Sequence, residues 1–93
     1  MQSKAIEKIQ GGKLLIIKIE FNKKIDDIKI LGDFFAHPEN SIEKIEKLIV
    51  GTSLNYDSDK LVEKIERLIE KEKYQLIGID AESIIRVLGV ALR

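Results

Sequence analysis

The stretch Ile28-Lys29-Ile30-Leu31-Gly32-Asp33-Phe34-Phe35-Ala36-His37-Pro38-Glu39 decides how this chain folds. It opens as a strand, with Ile28 and Ile30 on one face and Asp27, Lys29 and Leu31 on the other, and stops at Gly32-Asp33. Two adjacent phenylalanines follow, and Pro38 then suits the opening position of a helix. Neighbouring residues of an extended chain point to opposite faces, so at most one of Phe34 and Phe35 enters a given core. The chain has only three phenylalanines, and two of them sit at this one turn.

Upstream, Lys13 to Phe21 alternates with period two. Leu15, Ile17, Ile19 and Phe21 share one face, and Leu14, Ile16, Lys18 and Glu20 the other. Asn22-Lys23-Lys24 reads as a hairpin loop, since Asn tolerates the left-handed region of backbone space. The two strands then form an antiparallel pair with one apolar and one mostly wet face. Gly11-Gly12 permits a sharp reversal. Residues Ser3 to Gln10 are ambiguous, because Ser3, Ile6 and Ile9 fit a short helix as well as a strand.

Downstream, three helical patterns follow. The first begins near Pro38, carries Ile42, Ile45, Leu48 and Ile49 on one side, and ends at Gly51. Glu39 and Glu43 lie near its positive end. The second starts after Asp57 or Ser58 and buries Leu61, Ile65, Leu68 and Ile69, with a charged outer side that includes the Glu63–Arg67 spacing. The third is capped by Asp80 and shows Ile84, Ile85, Leu88, Ala91 and Leu92. Leu76-Ile77-Gly78 is an apolar connector with room for a short extended piece. Strands first and helices after predict an α+β domain of two layers: an antiparallel sheet of two to three strands, followed by about three helices packed on one face. Ile17, Ile19, Ile28 and Ile30 form the floor of its core.

Bulk properties bound the function. Ninety-three residues are read as a single domain, 1–93, with a limited core. Sixteen basic residues balance sixteen acidic ones, and no basic stripe supports nucleic-acid binding. The longest uncharged apolar run, Leu14 to Ile17, is too short for a membrane span, and the N-terminus lacks the pattern of a signal peptide. There is no cysteine, hence no disulfide, thiolate metal site or cysteine nucleophile. The expectation is a cytoplasmic protein without membrane or nucleic-acid partners. The abundance of Ile, Lys and Glu suits a thermophilic source, although low genomic GC content gives the same bias.

Chemistry is scarce. His37 has no second His, Cys or Ser–base partner, and just before Pro38 it reads as a turn or helix-entry residue. Asp26-Asp27 lies beside the hairpin, without calcium-loop spacing. Asp33, ahead of a helix entrance, is placed to cap it. Gly11-Gly12-Lys13 leads into a strand, whereas a phosphate loop leads into a helix, so a hairpin turn with Lys13 exposed is the better reading. For Phe34 and Phe35 two readings stand: both in the core, or one in the core and one at a subunit contact, where aromatics are over-represented. The candidate partner interface is therefore Asp33, Phe34, Phe35 and His37. No catalytic, cofactor-binding or metal-binding residue is assigned.

Four pieces of sequence in order resemble the small accessory domain of lipoate–protein ligases. They are Gly11-Gly12-Lys13-Leu14-Leu15, the strand ending Gly32-Asp33-Phe34-Phe35 with Pro38-Glu39, Ile45-Glu46-Lys47-Leu48-Ile49-Val50-Gly51, and Leu76-Ile77-Gly78-Ile79-Asp80-Ala81-Glu82-Ser83-Ile84. The resemblance covers about Lys8 to Leu92 and favours an edge strand over Ser3–Gln10. It implies a separately encoded, non-catalytic subunit of a bipartite, archaeal-type ligase. In that family ATP, Mg²⁺ and lipoate are bound by a large catalytic subunit, lipoyl-AMP is formed, and the acyl group passes to a lysine of a lipoyl-domain acceptor protein. This chain would bind none of those cofactors, and no active-site residue of the family transfers onto it. At fold level the domain also resembles iron–sulfur scaffold proteins, whose work needs thiolates that this chain lacks. A small assembly domain unrelated to lipoate is the other alternative.

Overall fold

Along the central strand every second residue is closed off from solvent, and that alternation organises the molecule. The computed structural model describes residues 1–9, 11 and 13–93. Strands β1 (Gln2–Lys8), β2 (Leu14–Phe21) and β3 (Ile25–Gly32) form an antiparallel sheet in the order β1-β2-β3. Its inner face carries Ala5, Leu15, Ile17, Ile19, Ile28 and Ile30, all buried. The edge strand implied for Ser3–Gln10 is present as β1, and the outlying Gln10 lies outside the described residues. The Gly11-Gly12 reversal falls partly outside them too, through Gly12; Gly11 has φ +71°. The Asn22–Lys24 loop closes the β2–β3 hairpin, with Asn22 N–H donating to the Lys24 carbonyl at 3.0 Å.

Hydrogen bonding fixes which side of β1 is open. Met1 and Phe21 exchange both backbone bonds at 2.8 Å, and Ile9 N–H donates to Lys13 O at 2.8 Å. With the register Ser3↔Ile19, Ala5↔Ile17 and Glu7↔Leu15, the odd residues of β1 bond to β2. The backbone groups of Gln2, Lys4, Ile6 and Lys8 therefore point away from the sheet. The β3 edge is instead partly covered. Ile30 N–H donates to Glu46 Oε2 at 2.8 Å, Ile25 N–H to Thr52 O at 2.9 Å, and Gly51 N–H to Ile25 O at 2.8 Å.

After β3 the chain forms β4 (Phe35–His37), α1 (Ser41–Ile49), α2 (Ser58–Glu72), β5 (Gln75–Ile77) and α3 (Ala81–Ala91). Helix α1 lies over β3, α3 lies over β1 and β2, and α2 packs on the other two helices. Their apolar stripes meet the sheet in one core, in which Ile45, Ile49, Ile65, Ile84 and Leu88 are fully buried. This is the expected α+β arrangement. The caps follow the sequence. Asp57 Oδ1 accepts Lys60 N–H at 3.2 Å, and Asp80 exchanges two bonds with Ser83, accepting from its N–H at 2.8 Å and donating its own N–H to Ser83 Oγ at 3.1 Å. The Glu63–Arg67 pair forms on α2. Among the described residues no helix is long and apolar enough to cross a membrane.

Three expectations around Pro38 need correction. The first helix starts at Ser41, three residues later than expected, so Glu39 precedes it and Glu43 is the acidic residue of its first turn. The reason is β4, which pairs with β5 and carries the backbone past His37 in an extended form before Pro38–Asn40 turns it; Pro38 O accepts Ser41 N–H at 3.0 Å. Asp33 consequently caps no helix, its exposed side chain lying ahead of β4. His37 is the last residue of a strand, opposite Gln75, rather than a helix-entry residue.

Candidate partner interface

The turn at Gly32 has a steric cause. Its φ is +151°, and a Cβ built there would stand 2.3 Å from the Leu14 carbonyl oxygen, closer than real side chains come. Only glycine lets β3 pass that close to β2 before Asp33 N–H closes onto Leu14 O at 2.9 Å. The chain then leaves the sheet, and Phe35-Ala36-His37 pairs antiparallel with Gln75-Leu76-Ile77 in a two-strand ribbon.

Alternation on that ribbon separates the two phenylalanines. Phe34, Ala36 and Leu76 are half-buried, and Phe34 and Leu76 pack against the core. Phe35 is 57% exposed and Ile77, its cross-strand partner, 64% exposed. His37 and Gln75 continue the outward face, and Asp33 is exposed at its start. Of the four candidate interface residues, the structure places Phe35 and His37 together on one open face, Asp33 beside them, and Phe34 beneath. Ile77 was not singled out by the sequence. Its signal was the apolar run Leu76-Ile77, which is ambiguous until a strand partner is known.

The ribbon sits at the end of the sheet that carries further exposed apolar groups. A Cβ on Gly78 would lie 3.5 Å from Lys13 Cγ and 3.6 Å from Phe34 Cβ, which places the ribbon against the start of β2. There Leu14 and Leu31 are 41% and 44% exposed, and Ile6 is 50% exposed. Five of the seven large hydrophobic side chains open to solvent among the described residues thus cluster at one end: Ile6, Leu14, Leu31, Phe35 and Ile77. Scattered singly they would mean little; gathered at one end, they make this the candidate contact surface.

No comparable concentration of chemistry exists elsewhere among the described residues. No group of three or more His, Cys, Asp or Glu is placed to hold a metal ion. A cleft of about 830 Å³ between α2 and α3 is lined by Tyr56, Val62, Ile79, Ile85, Arg86 and Arg93, among others. Burial pushes the Tyr56 phenol up from its ordinary value. Arg86 faces Glu7 at 3.9 Å, and Asp59, Asp80 and Glu82 lie along the same walls, so the cleft presents no single sign of charge to a ligand. It lacks a nucleophile–base pair.

The described residues thus form a small α+β domain whose exposed apolar side chains gather at one end. Residues 2–88 match the family described as "Bacterial lipoate protein ligase C-terminus", and the chain belongs to that family. It is 36% identical over 70 residues to lipoate-protein ligase A subunit 2 of Thermoplasma acidophilum, covering 72% of this chain and 66% of that one. The chain thus spans about two thirds of that relative's length. A solved structure of an archaeal lipoylation system, a bi-partite lipoate protein ligase and its E2 lipoyl domain from Thermoplasma acidophilum, contains a chain of the same fold. The TM-score is 0.70 at 26% identity, over 100% of this chain and 96% of that one.

Proposed function

We propose that this chain is the non-catalytic accessory subunit of a two-subunit lipoate–protein ligase. It acts with a large catalytic subunit in the ATP-dependent activation of lipoate to lipoyl-AMP. The observation that carries the reading is coverage: the chain matches 96% of a chain from a bi-partite ligase system at a TM-score of 0.70. ATP, Mg²⁺ and lipoate belong to the large subunit, and the lipoyl-domain acceptor protein is reached through it, in the cytoplasm. The candidate contact is the exposed ribbon face of Phe35, His37 and Ile77, with Asp33 at its start.

The proposed mechanism is physical. Lipoyl-AMP is a mixed acyl–phosphate anhydride and is prone to hydrolysis, so closing its pocket against water favours productive activation. A docked subunit supplies binding energy and loop order without carrying the acyl group. The test separates the two half-reactions by acceptor mass shift. From ATP and lipoate, the large subunit should modify the acceptor only when this chain is present. From synthetic lipoyl-AMP, it should do so alone. Lipoate-dependent ATP turnover by this chain alone would refute the accessory role, and an equal need for the chain in both assays would make it an acceptor-docking subunit instead.

A further inference from the structure

The outer face of the three-strand sheet, the one without helices, has an order that folding does not require. Its rows run across all three strands. Ile6, Ile16 and Leu31 stand side by side, and the next row of that face is Lys4, Lys18 and Lys29. All three lysines are exposed. Lys4 and Lys18 are a non-hydrogen-bonded pair, the type in which opposing side chains stand closer. At a strand spacing of roughly 4.8 Å the three ammonium stems leave the sheet within about 10 Å of one another. Like charges directly opposite in a sheet are destabilising.

Compensation within the chain is incomplete. The following row is Gln2, Glu20 and Asp27, and Gln2 Nε2 donates to Glu20 Oε1 at 2.8 Å. Among the described residues the ion pairs are Glu63–Arg67 and Glu7–Arg86, so none of the three lysines is in one. The same lysines line a shallow depression together with Glu20 and Asp27. The apolar row beside them ends at Leu31, one residue before the Gly32 turn from which the chain enters the ribbon of Phe35 and Ile77.

We propose that this outer face is part of one continuous docking surface for the catalytic subunit. The ribbon and the Ile6–Ile16–Leu31 row form its apolar centre, and the Lys4–Lys18–Lys29 row forms a cationic rim that meets acidic side chains of that subunit. The assignment rests on the accessory-subunit reading and adds the face and the charge of the partner surface. An apolar centre edged by charge is the anatomy of a protein–protein contact, and the rim charge sets orientation and encounter rate more than lifetime. The apolar row argues against nucleic acid, which would be met by cations and polar groups throughout.

The experiment is stopped-flow association of the full chain with its cognate large subunit at 50 and 300 mM salt. The wild type should associate about tenfold more slowly at the higher salt, because exposed charges are screened over a Debye length. The variant K4E/K18E/K29E should lose about tenfold in association rate at low salt and most of the salt dependence; a thermal melt checks that it is folded, since three opposed glutamates repel as the lysines do. The variant I6S/L31S should dissociate roughly tenfold faster at little change in association rate. A control, K60E/K64E/K71E on α2, should associate as the wild type does. A lysine-row variant that associates like the wild type, or a control that slows equally, overturns the assignment while leaving the accessory role standing. So does a finding that the wild type dimerises through this face, or that oligonucleotide binding accounts for the lysine effect. Absence of any association by the wild type overturns both.

Discussion

The two faces of one sheet are made by the same strands and have opposite fates. Residues Leu15, Ile17 and Ile19 of β2 are buried on the side covered by α3, while Ile16, Lys18 and Glu20 between them lie on the opposite face. Inner-face side chains are constrained by packing, where a change of one methylene is felt. Outer-face side chains carry no such duty, so what stands there is free to be selected for something other than stability. The inner face therefore accounts for the fold. The outer face and the ribbon that extends it are where function is to be sought.

The sharpest test of this division is truncation in the same strand. Ile17→Ala removes a fully buried side chain beneath α3 and should cost about 2–5 kcal/mol, read from the denaturation midpoint at unchanged slope. Its neighbour Ile16→Ala should cost well under half of that, because its row is partly open to water. Equal losses would mean that both faces are structural, and the outer face would lose its special status.

The phenylalanine pair repeats the contrast two residues beyond the sheet. Phe34→Ala should lower stability by about 2 kcal/mol, less than a fully buried phenylalanine because Phe34 is only half-buried. Phe35→Ala should leave melting nearly unchanged and weaken association with the large subunit by about 2 kcal/mol, measured by titration calorimetry. If both variants melt alike, Phe35 is part of the core after all.

This contrast is legible in the sequence itself, and the reason is local. Period-two alternation in Lys13–Phe21 and Asp27–Leu31 marks two faces without reference to anything distant, and the Asp57 and Asp80 caps are written within four residues of the bonds they make. The ribbon was not legible in the same way. Phe35–His37 becomes a strand only because Gln75–Ile77, separated from it by two helices, returns to pair with it. Read alone, Pro38 after a short apolar piece looks like a helix start, three residues ahead of the actual one at Ser41. The lysine row was hidden for the same reason. Lys4, Lys18 and Lys29 are unremarkable in three separate strands, and become a row once the register sets them opposite one another.

The sheet's two edges offer a third comparison. The β3 edge is closed in part by Glu46, whose carboxylate accepts Ile30 N–H at 2.8 Å. Glu46→Ala leaves that amide to find water in a half-buried place and should cost about 1.5 kcal/mol. Glu46→Gln keeps an acceptor and should cost less. A lysine on the open β1 edge makes no counterpart bond among the described residues, so Lys8→Ala should be neutral by the same melt.

A small effect of opposite sign bears most directly on the outer face. Lys18 is the middle of its row, opposite Lys4 on one side and Lys29 on the other. Lys18→Glu replaces two like-charge contacts with two opposite-charge ones, each pair contributing a few tenths of a kcal/mol at an exposed site. Lys18→Glu also brings a second carboxylate near Glu20, which offsets part of the gain. The net expectation is a stabilisation of about 0.5 kcal/mol at low salt that fades as salt is added, because screening weakens both contacts. A residue whose replacement strengthens the fold while slowing association is one kept for the partner and against stability. If Lys18→Glu destabilises the chain instead, the lysine row is structural, and the difference between the two faces is one of burial alone.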